Sequence, residues 1–263
     1  MKQLVSTDWL EKNIDKAKIL DASWHLPNSN RKAEEEYKLN HIQNSIFFDI
    51  DKHSNQNSTL PHMLPSKNDW ENIVSNLGIK NSDHVIVYDN SEVFSACRVW
   101  YTFIYFGHDP NLISVLDGNF SKWLNEKKPI SKDTLKIVTS EYKAVEDTSL
   151  VINKDQVDEN IKSKKFQLID ARGEKRFLGL QPEPREGLRS GHVEGSINLP
   201  FQLLINNDRT FKKVNELKRI FEEKKINIKQ DKAFLCGSGV TAAVLGLANS
   251  LITDTNPKIY DGS

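Results

Sequence analysis

Short apolar runs alternate along this chain with longer stretches in which apolar positions recur every three or four residues. The runs inside "KILDASW", "HVIVYDN", "QLIDARG" and "KAFLCGS" carry no polar face and sit beside turn residues, the pattern of strands buried on both faces of a parallel sheet. Between them, "LPSKNDWENIVSNLGI" and "VNELKRIFEEKKINI" space their apolar residues as a helix does, with a Gly or Asn near the end. Strands alternating with such helices predict an α/β fold, a parallel sheet flanked by helices.

The pattern occurs twice. "KILDASW" followed by "NHIQNSIFFDID" is answered by "QLIDARG" followed by "SGHVEGSINLPF": a strand ending in Asp-Ala, a loop, then a His-(Ile/Val)-x-x-Ser-Ile turn. "HVIVYDNSEVFSACRVW" is answered by "KAFLCGSGVTAAVLGL", and "ISVLDGNFSKW" by "PKIYDGS". The same order twice predicts two similar α/β domains, 1–130 and 149–263, rather than one continuous sheet. The connection, 131–148, lacks Gly-Ser or Pro-rich character and is expected to lie draped on a domain. The first copy continues past "LDGN" into "FSKWLNEKKP" whereas the second stops at Ser263, so either the sequence is truncated there or the second domain does without that helical turn.

Charge narrows the partners. Among 263 residues, 36 Lys plus Arg balance 36 Asp plus Glu, which gives no reason to expect nucleic acid or an anionic membrane. No span of the roughly 20 predominantly apolar residues that cross a membrane is expected. Asp8, Glu11, Lys12 and Asp15 interrupt the opening segment, so it does not read as a signal peptide. The two cysteines, Cys97 and Cys236, cannot build a disulfide framework and are expected to be free thiols in a cytoplasmic protein. Without heptads a monomer is expected, and nothing suggests a metal or a cofactor.

The candidate chemistry lies in "CGSGVTA". Cys236 follows an apolar strand and precedes Gly237 and Gly239, which permit positive φ, and a helix expected to start near Thr241. Amides of such a turn and of a helix N-terminus form a concave anion site, where a thiolate or an anionic persulfide is favoured. The repeat puts Asp89 opposite Cys236, so only the second copy has a nucleophile. Cys97, in "SACRVW", reads as a buried small hydrophobe. A C-x5-R phosphatase loop is excluded, because Thr241 and Ala242 stand where its arginine would be. The glycines lack both the lysine of a P-loop and the spacing of a dinucleotide fingerprint.

With "GHVEGSINLPF" upstream and Asp in place of Cys in the first copy, the chain resembles the tandem rhodanese-type sulfurtransferases over nearly its whole length, and most closely the 3-mercaptopyruvate sulfurtransferases. The resemblance implies two rhodanese-like domains, a non-catalytic first domain and a persulfide on Cys236, with 3-mercaptopyruvate as sulfur donor and pyruvate as product. It implies that Arg176 and Arg185, in "RFLGLQPEPR", grip the donor's carboxylate and carbonyl oxygens, as a guanidinium fork can. It also implies a Ser238-His62-Asp51 proton relay and an active-site loop made of the Gly237, Gly239, Val240 and Thr241 backbone. The outer sulfur would pass to a thiol acceptor, such as thioredoxin or a small thiol, or to cyanide. Relatives that prefer thiosulfate carry basic residues where this chain has Gly237 and Ser238, which makes thiosulfate the alternative donor. His41 and His192 fall at matching places in the two copies and are expected to serve the fold.

Overall fold

The computed structural model describes residues 3–183 and 188–262. The chain divides into two compact units, Met1–Thr148 with Asn207–Thr210, and Ser149–Asn206 with Phe211–Ser263.

In the first unit the order is β1 (Leu4–Val5), α1 (Thr7–Lys12), β2 (Lys18–Asp21), α2 (Ala33–Leu39), β3 (His41–Ile42), β4 (Ser45–Phe47), α3 (Lys67–Asn76), β5 (Val85–Tyr88), α4 (Ala96–Tyr105), β6 (Ile113–Leu116), α5 (Asn119–Asn125) and β7 (Ile130–Ser131). Among the described residues it holds a five-stranded parallel sheet in the order β1-β6-β5-β2-β4, and β3 pairs antiparallel with β7. The second unit continues with β8 (Val151–Ile152), α6 (Lys154–Ser163), β9 (Gln167–Asp170), α7 (Glu174–Phe177), β10 (Ile197–Asn198), α8 (Val214–Glu223), β11 (Lys232–Leu235), α9 (Val240–Thr253) and β12 (Lys258–Tyr260). Its sheet is also parallel, in the order β8-β12-β11-β9-β10. Matching the strands one to one gives the same topology twice.

Register makes the match residue by residue. β2 pairs with β5 so that Asp21 faces Tyr88, and β9 pairs with β11 so that Asp170 faces Leu235. The residues that leave the central strands are therefore Asp89 in one unit and Cys236 in the other.

Local chemistry starts the helices. Ser66 caps α3 by accepting from the Asp69 amide at 3.2 Å, and Asn153 and Gln156 form a reciprocal capping box at the start of α6. The central strands β5 and β11 are buried at every position, as expected where helices cover both faces. Even Lys232 on β11 is buried, with its Nζ donating to the Ile228 carbonyl at 3.0 Å. In the first unit Trp70 packs against Phe103 and stacks on Phe106, with ring centres 4.9 and 5.1 Å away.

The stretch between β7 and β8 has little regular structure, yet it lies against the first unit. Its Ser140 amide donates to Ser75 and its Val145 amide to Phe106, while Tyr142 is buried. Among the described residues no helix is long and apolar enough to cross a membrane.

Candidate active site

Cys236 is the first residue after β11 and is buried, 7% exposed. Gly239 then takes the left-handed conformation (φ 76°), which a side chain would strain, and α9 begins at Val240, one residue before the position expected from the sequence. Of the two glycines expected to allow positive φ, Gly239 uses that freedom and Gly237 does not. Helix α9 is made of small and apolar residues because it is buried along most of its length. At Gly246 an added Cβ would lie 2.9 Å from Pro257, so this helix packs closer than a side chain there would permit. No side chain caps α9, and its N-terminus follows Cys236 across three residues. The thiol is thus held between a buried strand end and the amide-rich start of a long helix.

Asp89 shows what the other copy makes of the same turn. Its carboxylate is buried and accepts from the Ser91 amide at 3.0 Å and the Ala96 amide, the first of α4, at 2.8 Å. Burial pushes its pKa up to about 6 despite those two hydrogen bonds.

The arginines are organised by carboxylates that the sequence reading did not single out. Arg172, just beyond β9, donates its Nε to both Asp170 oxygens at 3.1 Å and its Nη2 to Asp170 Oδ2 at 2.7 Å. Its Nη1 donates to Glu183 Oε1 at 2.8 Å. Arg176, on α7, donates to the same Glu183 carboxylate through Nη2 and, at 3.4 Å, through Nε. Burial alone would raise the Glu183 carboxyl, but hydrogen bonding to Arg176 and the two guanidinium charges lower its pKa below the ordinary value. Arg185 lies outside the described residues. The available signal for Arg172 was its place immediately after the repeated Asp-Ala.

His41 and His192 do the same job in the two units. His41 stacks on Tyr37 with ring centres 4.0 Å apart and its Nδ1 bonds the Tyr37 carbonyl at 2.7 Å. His192 stacks on Phe177 at 3.8 Å and its Nδ1 bonds the Phe177 carbonyl at 2.8 Å. Tyr37 and His41 are four residues apart and Phe177 and His192 fifteen, so the second copy carries eleven extra residues between them, including Glu183 and Arg185. The same match aligns Arg176 with Glu36, which is held by Arg31 at 2.7 and 2.6 Å.

His62 and Asp51 both belong to the first unit and are brought together: His62 Nε2 lies 2.9 Å from Asp51 Oδ1, and the hydrogen bond to His62 lowers the Asp51 pKa. The Trp24 indole N–H also donates to Asp51 at 3.0 Å, and its ring meets His62 edge-on at 4.7 Å. The His62 ring is buried and its carbonyl accepts from Arg98 Nη2 at 2.6 Å, which holds a residue in left-handed backbone (φ 58°). Ser238 belongs to the second unit and is half-buried.

Two copies of one parallel α/β domain, one ending its central strand in a thiol and the other in a buried carboxylate, define the class. The Rhodanese-like domain family matches residues 6–126 and again 153–263, and the chain belongs to that family. It is 38% identical over 270 residues to the 3-mercaptopyruvate sulfurtransferase of Mus musculus, covering 100% of this chain and 90% of that protein. It is 41% identical over 271 residues to the thiosulfate sulfurtransferase of Rattus norvegicus, again covering 100% and 90%. The crystal structure of SseA from Escherichia coli, presented as a 3-mercaptopyruvate sulfotransferase of the rhodanese fold, matches with a TM-score of 0.90 at 32% identity, covering 100% of this chain and 99% of that one.

Proposed function

We propose that this chain is a sulfurtransferase that takes the sulfur of 3-mercaptopyruvate onto Cys236 and passes it to a thiol or to cyanide. The observation that carries the reading is Cys236 itself, placed between the end of β11 and the uncapped N-terminus of α9 in a loop without charged side chains. The Cys236 thiolate attacks the donor's sulfur; a sulfur–sulfur bond forms and the carbon–sulfur bond breaks, its electron pair leaving as the enolate of pyruvate. That enolate takes up a proton at carbon. Cyanide then attacks the outer sulfur of the persulfide, releasing thiocyanate and restoring the thiolate.

In this reading Arg176, with Arg185, meets the donor's carboxylate and the charge that builds on the ketone oxygen. Proton handling falls to Ser238, His62 and Asp51, a role taken from the family resemblance and supported by the 2.9 Å contact of His62 with Asp51. The acceptor in the cell is a small thiol or a dithiol protein such as thioredoxin. The two free thiols are the reason to place the protein, as a monomer, in the reducing cytoplasm.

Thiosulfate is the second donor to consider, because relatives of both names are about equally similar. Its dianion would gain from positive charge on the loop, and Gly237 and Ser238 supply none. Steady-state kcat/KM for the two donors, with cyanide as acceptor and Cys236→Ser as blank, decides between them. A preference for 3-mercaptopyruvate is expected; a preference for thiosulfate would overturn the account of selectivity while keeping the persulfide.

A further inference from the structure

Arg176, to which the proposed function gives the donor's carboxylate, is one end of a chain of alternating charges. Asp170, wholly buried at the end of β9, takes Arg172 in a forked pair; Arg172 takes Glu183; and Glu183 takes Arg176. Arg172 is braced further by donating from Nη2 to the Gly191 carbonyl at 2.8 Å. The Glu183 carboxylate is 4% exposed against 24% for the Arg176 side chain, so the chain runs from the sheet outward to the loop. Two carboxylates balance two guanidiniums, so neither Glu183 nor Arg172 is left as an uncompensated buried charge.

The geometry decides which edge of Arg176 is taken. Glu183 engages the Nε and Nη2 donors. A guanidinium has a second edge, built from Nη1 and Nη2, that matches a carboxylate in the same bidentate way. An arginine held by one edge presents the other in a fixed direction, so less freedom is lost when an anion docks on it.

We propose that Glu183 is a positioning residue for donor binding, holding Arg176 in the orientation that receives the donor's carboxylate, with Arg172 and Asp170 as its brace. This rests on the reading of Arg176 given above. It assigns a task to Glu183 within the insertion of the second copy: it brings a carboxylate back onto Arg176 of α7. The first copy has no such loop, and there Glu36, at the place of Arg176, is held by Arg31 from the preceding turn.

The test is a double-mutant cycle in steady-state kinetics, with 3-mercaptopyruvate as donor and cyanide as acceptor. Wild type, Glu183→Gln, Arg176→Ala and the double variant are compared, and thermal unfolding checks that each is folded. Glu183→Gln is expected to raise KM about tenfold with kcat changed less than twofold, and to add nothing in the Arg176→Ala background. An unchanged or lower KM in Glu183→Gln, or the same rise in both backgrounds, overturns the proposal. If Arg176→Ala itself leaves KM unchanged, the reading of Arg176 fails and the proposal falls with it, an outcome distinct from a normal Arg176 effect without coupling. Should Glu183→Gln not fold, Glu183→Asp replaces it. Its shorter carboxylate is expected to raise KM about threefold in a way that depends on Arg176, and no such dependence overturns the proposal.

Discussion

The two units repeat one topology and one strand register, and they differ in what the turn after the central strand holds. In the first unit that turn carries Asp89, whose carboxylate reaches back to the amides of Ser91 and Ala96 and so supplies an anion from within the protein. The second unit has Cys236 there, followed by Gly239 in left-handed backbone and by a helix start that no side chain caps. The neighbouring charges differ too. Asp21 is answered by Ser23, whose hydroxyl and amide bond it at 2.5 and 2.9 Å, whereas its counterpart Asp170 is answered by Arg172. The shared scaffold therefore does not by itself fix what the turn presents. A thiol in place of a carboxylate, an arginine in place of a serine and eleven extra residues distinguish the second unit from the first.

The comparison can be broken first at its thiol. Cys236→Ser should abolish sulfur transfer, by at least a thousandfold in kcat/KM, with unfolding unchanged. Adding Asp89→Cys to that variant should restore nothing, because the first unit has Glu36 where the second has Arg176. Activity in the double variant, measured with cyanide and 3-mercaptopyruvate, would show that a thiol in the turn is sufficient.

The next effect concerns pH. A buried carboxyl whose pKa is raised to about 6 when folded, from 3.8, binds its proton more tightly in the folded state. Its contribution to stability is therefore fully kept below about pH 4, declines as pH rises toward about 6 and is level above. Asp21 adds to the upward push on Asp89 and Arg209 opposes it. Relative to wild type, Asp89→Asn should gain stability between pH 4 and pH 6, by about 3 kcal/mol at most. Denaturant unfolding at several pH values measures it, and a pH-independent difference would mean that the Asp89 carboxyl ionises normally.

The smallest expected effect sharpens the part the units share. His41→Ala should cost about 1–2 kcal/mol in unfolding through the lost ring stack and hydrogen bond, with kcat unchanged. A fall in kcat without a loss of stability would give His41 a catalytic role that its contacts do not suggest.

Much of this was legible in the chain. Strands such as "VIVY" and "AFL" announce themselves because burial on both faces removes every polar position, and duplication turns weak motifs into an ordered pattern. The opposition of Asp89 and Cys236 follows from that order, as does the shared place of His41 and His192. What each side chain touches does not follow. Glu183 is seven residues from Arg176 and eleven from Arg172, but α7 covers only Glu174–Phe177, so no helix carries those spacings and nothing in the pattern links them. The ring stacks of Tyr37 on His41 and Phe177 on His192 span four and fifteen residues and look unrelated until both are seen to end in the same hydrogen bond.

The sequence by itself determined the fold class and the duplication and singled out Cys236 as the candidate nucleophile, because these depend on periodicity, order and residue type, which are local properties of the chain. Only the tertiary structure decided that α9 starts at Val240, that Asp89 fills its own turn and that Arg176 is held by Glu183 against Arg172 and Asp170. Those outcomes depend on which donors and acceptors lie within about 3 Å of one another after burial, where an unpaired charge costs most.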